Sequence, residues 1–477
     1  MNTYKQHPIS MTEGIWKSVI VLIFPLMRGL LAASFDVYTW VTGAWFDIVI
    51  VASILLYAFL RFKSKSCCVH DGYLSYRSGV ILRQVGDIPV TMLTTVSMRR
   101  PLLYRFTNAV IVTAETDMGP KNLPDVTITL NGYDAAELED LLKKHNVNVT
   151  KRYYTPKAGY LVLYSLLNSS TFSGILLISA FFSQTGAVVG RKIQDDVFYT
   201  LNDISVKVAL GIPPIAITIS IVLLSGWLIG FIFNVANFLR FTIRRTNDHL
   251  VIDKGIVAKR RYLINCNRIV YVDLRQTLIT KLFSVSSAYI YCSGYGKGKN
   301  EAAVLIPATS KNDMQSSMKM LLPEFEAVKP EIRPRPAALM SYCINTVYLI
   351  VAIPIICHFA APLFPNFAEL IYFSAVIAEI PCVWHLAAKI FAFFTSGIGE
   401  NGEHLILKYS KGFSFHSLTV CKSKISAIRI MRNPFNLMSG RCTMCFYTYG
   451  EKIKSHRIKG ISYACAREFV EKFGSAE

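Results

Sequence analysis

Gly79-Val-Ile-Leu-Arg83, followed by Ile88-Pro89 and Val96-Ser-Met-Arg-Arg100, recurs further along the chain as Gly255-Ile-Val-Ala-Lys259, Ile264 and Val272-Asp-Leu-Arg-Gln276. Arg105 falls on Lys281 at the same offset, and no gap is needed anywhere between. Apolar and basic positions that coincide at one offset mark an internal repeat, and the repeat governs the rest of the reading. Around the first copy, residues 66–150 alternate as strands do: Leu74-Ser-Tyr76, Gly79-Val-Ile-Leu82, Val90 to Val96, Ala109-Val-Ile-Val112 and Val126-Thr-Ile-Thr-Leu130. Asp71-Gly72, Gly119-Pro120 and Asn131-Gly132 punctuate them as turns. A short amphipathic helix capped by Asp134 then closes the segment. Residues 241–328 repeat this order, with a closing helix near 311–322. A third, more diverged copy occupies 400–477, where Gly412 is followed at the familiar spacing by Arg432 and the last helix runs from Tyr463 to Phe473. Apolar positions in that copy fit better after a one-residue shift.

Each copy is preceded by apolar sequence. Of the residues, 52% are hydrophobic and only 17% charged, outside the soluble range. About 20 apolar residues suffice to cross a bilayer. Six stretches qualify, near 16–34, 45–60, 161–182, 208–239, 344–364 and 370–394, in three pairs with short connections. Lys17 and Arg28 interrupt the first, which snorkelling accommodates. The organisation expected is hairpin 1–65, domain 66–150, hairpin 151–240, domain 241–328, hairpin 329–399 and domain 400–477.

Charge orients this arrangement. Of 51 Lys and Arg residues, only Arg191, Lys192 and Lys207 fall in the connections within pairs, alongside Asp36, Asp195, Asp196, Asp203 and Glu369. The opposite flanks are basic, as at Arg61, Lys63, Lys65, Lys151, Arg152, Arg240, Arg244, Arg245 and 329–335. The positive-inside rule therefore expects both termini and all three polar segments in the cytoplasm. A net charge of +20 is then concentrated at the anionic inner leaflet. Nucleic acid is not the expected partner, since no recognition motif for it is present. Eleven cysteines, several inside apolar stretches and the rest in cytosolic segments, read as thiols rather than a disulfide framework.

Antiparallel strands ending in an amphipathic helix fit a small barrel or sandwich plugged by that helix. With Gly79 to Ile88-Pro89, Gly255 to Ile264, and Val272-Asp-Leu-Arg-Gln276 before Leu278 and Leu282, the chain resembles the bacterial membrane-flanked PH-like domain family, in its three-domain YdbT type. It departs from the loose family pattern where Asn265 replaces the proline, and where Arg100 and Asn433 replace the glutamine. The resemblance implies an α+β membrane protein: three transmembrane helical hairpins alternating with three antiparallel β PH-like barrel or sandwich domains, each closed by a C-terminal helix. It further implies a smaller single-domain PH-like membrane protein as partner, and a role in resistance to membrane-active peptides.

No catalytic constellation, metal motif or phosphate-cradling loop is present in the sequence, so neither enzymatic activity nor a cofactor is expected. His358 and His385 lie alone on apolar stretches and read as structural. The candidate binding residues are the basic positions of the repeats: Arg83, Arg99, Arg100 and Arg105; Lys259, Arg260, Arg261, Arg275 and Lys281; Arg429 and Arg432. Cations gathered on one rim hold a phosphate headgroup, whereas scattered ones only attract an acidic surface. Two functions fit: a non-enzymatic membrane scaffold that binds partner proteins or anionic lipid, or a transporter that the polar domains regulate.

Overall fold

The computed structural model describes residues 3–12, 37–117, 125–143, 151–167, 199, 214–246, 248–292, 294–295, 303–326, 328–365, 368–449 and 453–474. Strand β1 (Thr3–Lys5) and helix α1 (Val37–Ser64) precede β2 (Ser66–His70), β3 (Tyr73–Ser78), β4 (Gln84–Pro89) and β5 (Leu93–Arg100). After the short α2 (Leu102–Phe106) come β6 (Ala109–Thr116), β7 (Val126–Asn131) and the closing helix α3 (Gly132–Lys143). Asp71 and Gly72 make the tight turn between β2 and β3 with φ of 48° and 79°, a hand of turn that matches the twist of the strands it joins.

The second copy follows β8 (Lys151–Tyr154), α4 (Ala158–Leu167) and α5 (Pro214–Phe238). It comprises β9 (Thr242–Thr246), β10 (His249–Lys254), β11 (Lys259–Asn265), β12 (Tyr271–Thr277), α6 (Leu278–Leu282), β13 (Val285–Tyr291), β14 (Val304–Ser310) and α7 (Lys311–Leu321). The third follows α8 (Leu339–Leu363) and α9 (Ala368–Thr395), with β15 (Gly397–Asn401), β16 (His404–Lys411), β17 (Ser414–Cys421), β18 (Ile425–Met431), α10 (Pro434–Met438), β19 (Arg441–Thr448), β20 (Lys454–Ser462) and α11 (Tyr463–Gly474).

The one-residue shift of the third copy has a local cause. Equivalent cross-strand pairs are Ser78 with Gln84, Lys254 with Arg260, and Tyr409 with His416, so the third hairpin is one residue longer. It closes tightly on Gly412 (φ 60°) and Phe413 between the paired Lys411 and Ser414. Judged from the short helices α2, α6 and α10, Arg432 is then the counterpart of Gln276 and Arg100.

Of the expected barrel or sandwich domains the barrel form is corrected, because among the described residues the sheets are open and no closed barrel forms. The chain divides into two compact units, and the second copy is shared between them. Unit 1 (residues 1–153, 243–268 and 292–299) holds the sheet β1-β2-β3-β4 and the larger sheet β7-β6-β5-β11-β10-β9-β8. Here β5 of the first copy pairs with β11 of the second, from Lys259 opposite Arg100 to Ile264 opposite Thr95. Its core gathers Leu74, Val96, Met98, Val112, Leu130 and Leu138 together with Val251 and Leu263 of the second copy.

Unit 2 (residues 154–242, 269–291 and 300–477) holds β14-β13-β12-β17-β16-β15 and the three-stranded β18-β19-β20. There β12 of the second copy pairs with β17 of the third, from Tyr271 opposite Val420 to Thr277 opposite Ser414. Leu405, Leu407, Leu418, Met444, Phe446, Ile458 and Phe469 form its core. An unpaired strand edge must be covered somehow, and in each unit the neighbouring copy covers it in place of barrel closure. The strands so placed are apolar without alternation: Leu250, Val251 and Ile252 are all buried, as are Tyr262, Leu263 and Ile264, the pattern of sheets covered on both faces.

Three helical segments among the described residues are long and apolar enough to cross a membrane, Ile221–Phe238, Pro336–Leu363 and Ile371–Thr395. Helix α1 covers the stretch expected at 45–60. The stretch at 16–34 and most of that at 161–182 lie outside the described residues. Helices α8 and α9 pack together, with Thr346 Oγ1 hydrogen-bonded to His385 Nδ1 at 2.9 Å and Tyr342 edge-on to Phe393. His385 thus has the polar partner expected of a structural histidine.

Candidate functional site: a lysine-lined cavity and its polar surroundings

The pairing of β5 with β11 sets Arg99 opposite Arg260 and Arg100 opposite Lys259, so four cations from two copies meet at one end of the joint. Like charges directly opposed across a ladder repel. Arg99 and Arg260 share one face and Arg100 and Lys259 the other, because strand side chains alternate. Nearby, the Arg105 guanidinium donates to the Ile256 carbonyl. Arg83 is exposed in the loop before β4.

The remaining candidates are separated and mostly engaged. Arg261 donates from Nε to Asp253 (2.6 Å) and reaches the nearly buried Glu139 carboxylate of α3 at 3.1 Å. Arg275 donates to Asp273 at 2.6 Å and lies 4.0 Å over the Tyr289 ring. Arg432 covers the Tyr463 ring at 4.2 Å, and Arg429 is exposed on β18.

Lys281 stands apart because it lines a cavity of about 400 Å³ in unit 2. Lys311, Lys329 and Lys408 line it too, with Gln276, Gln315, Ser286 and Ser417 as further polar groups and Leu274, Met314 and Phe415 as apolar wall. No carboxylate is among the described lining residues. Thr395, the last residue of α9, borders the cavity, which places it where the third helical hairpin meets the sheet. Burial, and then Lys311, push the Lys281 ammonium below its ordinary value. Burial lowers Lys408 likewise, helped by Arg333, Lys311 and Lys281. Cations that disfavour one another in a semi-enclosed space are stabilised by an anion entering it. A second cavity of about 410 Å³, bordered by Lys389, Lys411, Arg457 and Lys459, shares Tyr409 with the first. Only Lys281 was anticipated from sequence; Lys311 opens a closing helix, Lys329 belongs to a basic flank and Lys408 sits mid-strand, and no fixed spacing links the three.

Beside the cavity lies a buried polar network that scattered histidines did not reveal. The Asp273 carboxylate takes hydrogen bonds from Arg275 and from His416 Nδ1 (2.6 and 2.9 Å). Tyr409 stacks on His416 with ring centres 5.1 Å apart, and its hydroxyl meets His456 Nδ1 at 2.8 Å. Thr448 holds the other His456 nitrogen at 3.1 Å. Burial alone would raise the Asp273 pKa, but the bond and charge of His416, with Arg275, hold it below the ordinary carboxylate value. Burial, reinforced by Lys454, His416 and Lys411 against the opposing Asp273, pushes His456 down to about 4.

An unfolded histidine titrates near 6.5. Between pH 6.5 and 4 the unfolded chain therefore binds the extra proton, and stability falls as pH falls, by on the order of 2 kcal/mol at pH 5. Chemical denaturation of the detergent-solubilised protein across pH 7.5 to 5 should show this slope, and His456→Asn should flatten it. An unchanged slope would place the responsible group elsewhere.

The bacterial PH domain model matches residues 21–146 and 197–322 of the chain. The UPF0699 transmembrane protein YdbT of Bacillus subtilis (strain 168) is similar, 29% identical over 209 residues. That match covers 41% of this chain and 40% of the relative, so the chain spans less than half the length of the curated relative it matches. No solved structure matches.

Proposed function

The chain belongs to the bacterial PH domain family, and from that premise we propose that it is a non-enzymatic, multi-pass membrane scaffold whose PH-like segments hold anionic lipid and partner proteins at the cytoplasmic leaflet. The reading includes six spans with both termini inside, in line with the positive-inside distribution of Lys and Arg. The observation that carries it is the cavity at the foot of α9, where Lys281, Lys311, Lys329 and Lys408 converge with no lining carboxylate among the described residues. A phosphodiester headgroup fits this chemistry, for it accepts charge-assisted hydrogen bonds from several ammonium groups while its glyceride remains with the bilayer. A smaller single-domain PH-like membrane protein is the protein partner that the family resemblance suggests, with envelope stress as the setting.

Retention of phosphatidylglycerol by the detergent-purified protein measures the site. Lys281→Glu with Lys408→Glu should lower it roughly tenfold, about the worth of one charge-assisted hydrogen bond. Lys5→Glu with Arg77→Glu changes net charge equally at exposed positions and should leave retention near native. Equal losses would leave only the unspecific field of a basic surface and remove the site.

The transport reading keeps one specific observation. Glu379 of α9 carries an enclosed carboxylate oxygen with no hydrogen-bond partner among the described residues, and ionisable groups at such depth mark ion paths in many membrane proteins. Substrate-dependent flux in liposomes that is lost with Glu379→Gln would favour it over the scaffold.

A further inference from the structure

The two joints between successive copies are the same joint. In the first, Val96 of β5 lies opposite Leu263 of β11; in the second, Val272 of β12 lies opposite Thr419 of β17. Val96 and Val272 are repeat equivalents. Leu263 and Thr419 are equivalent once the longer hairpin of the third copy is allowed for. Each time, the strand that leads into the short helix pairs antiparallel with the third strand of the next copy's opening hairpin, and the register is identical.

A head-to-tail joint used twice along three copies leaves one half-joint at each end. The third strand of the first copy, β4, is an edge of its sheet, and β18 of the third copy, the counterpart of β5 and β12, is an edge of its own. Burial follows pairing. Inside the joints β11 and β17 each carry a run of three consecutive buried residues and β5 and β12 are buried over their first three residues, whereas β4 has none and β18 only Ile425. Val85 is 66% exposed in β4, and Ile81 and Leu82 before it are 88% and 80% exposed. The register irregularity in β18 between Ile425 and Ala427 is no barrier, because β5 has the same irregularity between Leu93 and Thr95 and still pairs with β11.

We propose that β18 of one chain pairs with β4 of a second copy of the same chain, repeating between molecules the joint that already links the copies within one. The occupant is a second copy because the chain itself presents both complementary edges, and continuity with the two internal joints supplies the geometry. Transferring their register places Ala427 opposite Ile88, Ile428 opposite Asp87 and Met431 opposite Gln84 of the second copy. Such a contact is heterologous, so it extends into rows or closes as a ring in the membrane plane. This inference is independent of the lipid site.

The test uses two differently tagged full-length chains co-expressed in native membranes. One carries Ala427→Cys and the other Ile88→Cys, with Met431→Cys and Gln84→Cys as a second matched pair. Ala427→Cys with Asp87→Cys is a one-residue slip that puts the thiols on opposite faces. Short thiol crosslinking should join the two tags in both matched pairs, at least about fivefold above the slipped pair and the native-cysteine background, the margin a one-residue slip should impose. Equal yields in matched and slipped pairs, no tag-to-tag product, or crosslinking of Ala427→Cys to a different protein would each overturn pairing with a second copy.

Discussion

Asp273→Ala is expected to destabilise unit 2 by about 3–5 kcal/mol, the cost of removing one partner from a buried ion pair. The Asp273 side chain is only 3% exposed and sits within the β12–β17 joint, opposite Leu418. Without it, the nearly buried His416 and the half-exposed Arg275, which face one another across the same joint, lose the acceptor between them. The Tyr409 ring stacked on His416 and its bond to His456 depend on that arrangement. Asp273→Asn keeps one acceptor oxygen and should cost less, because loss of an acceptor is more expensive than loss of charge alone when the donors remain. Thermal unfolding of the detergent-solubilised protein followed by near-ultraviolet circular dichroism reports both. A loss below about 1 kcal/mol for Asp273→Ala would mean that the network carries no more than an exposed ion pair does. The network also distinguishes the second copy from its siblings. At the equivalent position the first copy has Ser97, whose hydroxyl meets Thr113, and the third has the exposed Arg429 on the free edge. A buried acid at this strand position is thus a property of one copy, whereas the joint itself belongs to the repeat.

How the sequence encodes these features decides how far it could be read. Most strands and the closing helices stand where alternation and turn residues place them, since each depends on neighbours a few residues away, but Gly79–Leu82, expected as a strand, forms the loop between β3 and β4, and the short helices α2, α6 and α10 were not anticipated. The gapless match of the first two copies becomes a residue-for-residue match of β3 with β10 and of α2 with α6. Strand partnership is different, because alternation specifies which face is buried and not which strand lies alongside. One signal was present: Leu250-Val-Ile252 and Tyr262-Leu-Ile264 are too continuously apolar for sheets with one wet face. The basic candidates divide on the same principle. Arg99, Arg100, Lys259 and Arg260 lie on the repeated strands and meet through a joint invisible in either copy alone. Lys311, Lys329 and Lys408 come from three elements with no shared spacing, so only the fold assembles them around Lys281.

Gly460→Ala should cost about 2–5 kcal/mol, and the reasons for that loss can be separated experimentally. Gly460 lies in β20 with φ of 77°, a region that costs an L-residue about 1–2 kcal/mol. A Cβ added there would also collide with the Cβ of Ala338. Ala338 is fully buried in the turn that leads into α8, and the Gly460 carbonyl accepts the Arg335 N–H just before it. The missing side chain is therefore what lets the base of the third hairpin lie directly on the sheet, and overpacking such a contact adds about 1–3 kcal/mol. Gly440→Ala is the internal control, since Gly440 has φ of 61° with nothing within 4 Å of an added Cβ. It should show the backbone cost alone. Ala338→Gly combined with Gly460→Ala removes the collision but not the backbone strain, so the pair should recover to about the level of Gly440→Ala, a coupling that a double-mutant cycle measures directly. If Gly460→Ala proves no more harmful than Gly440→Ala, or if Ala338→Gly gives no recovery, then close approach of the turn before α8 to β20 is not what holds the helical hairpin to the third copy.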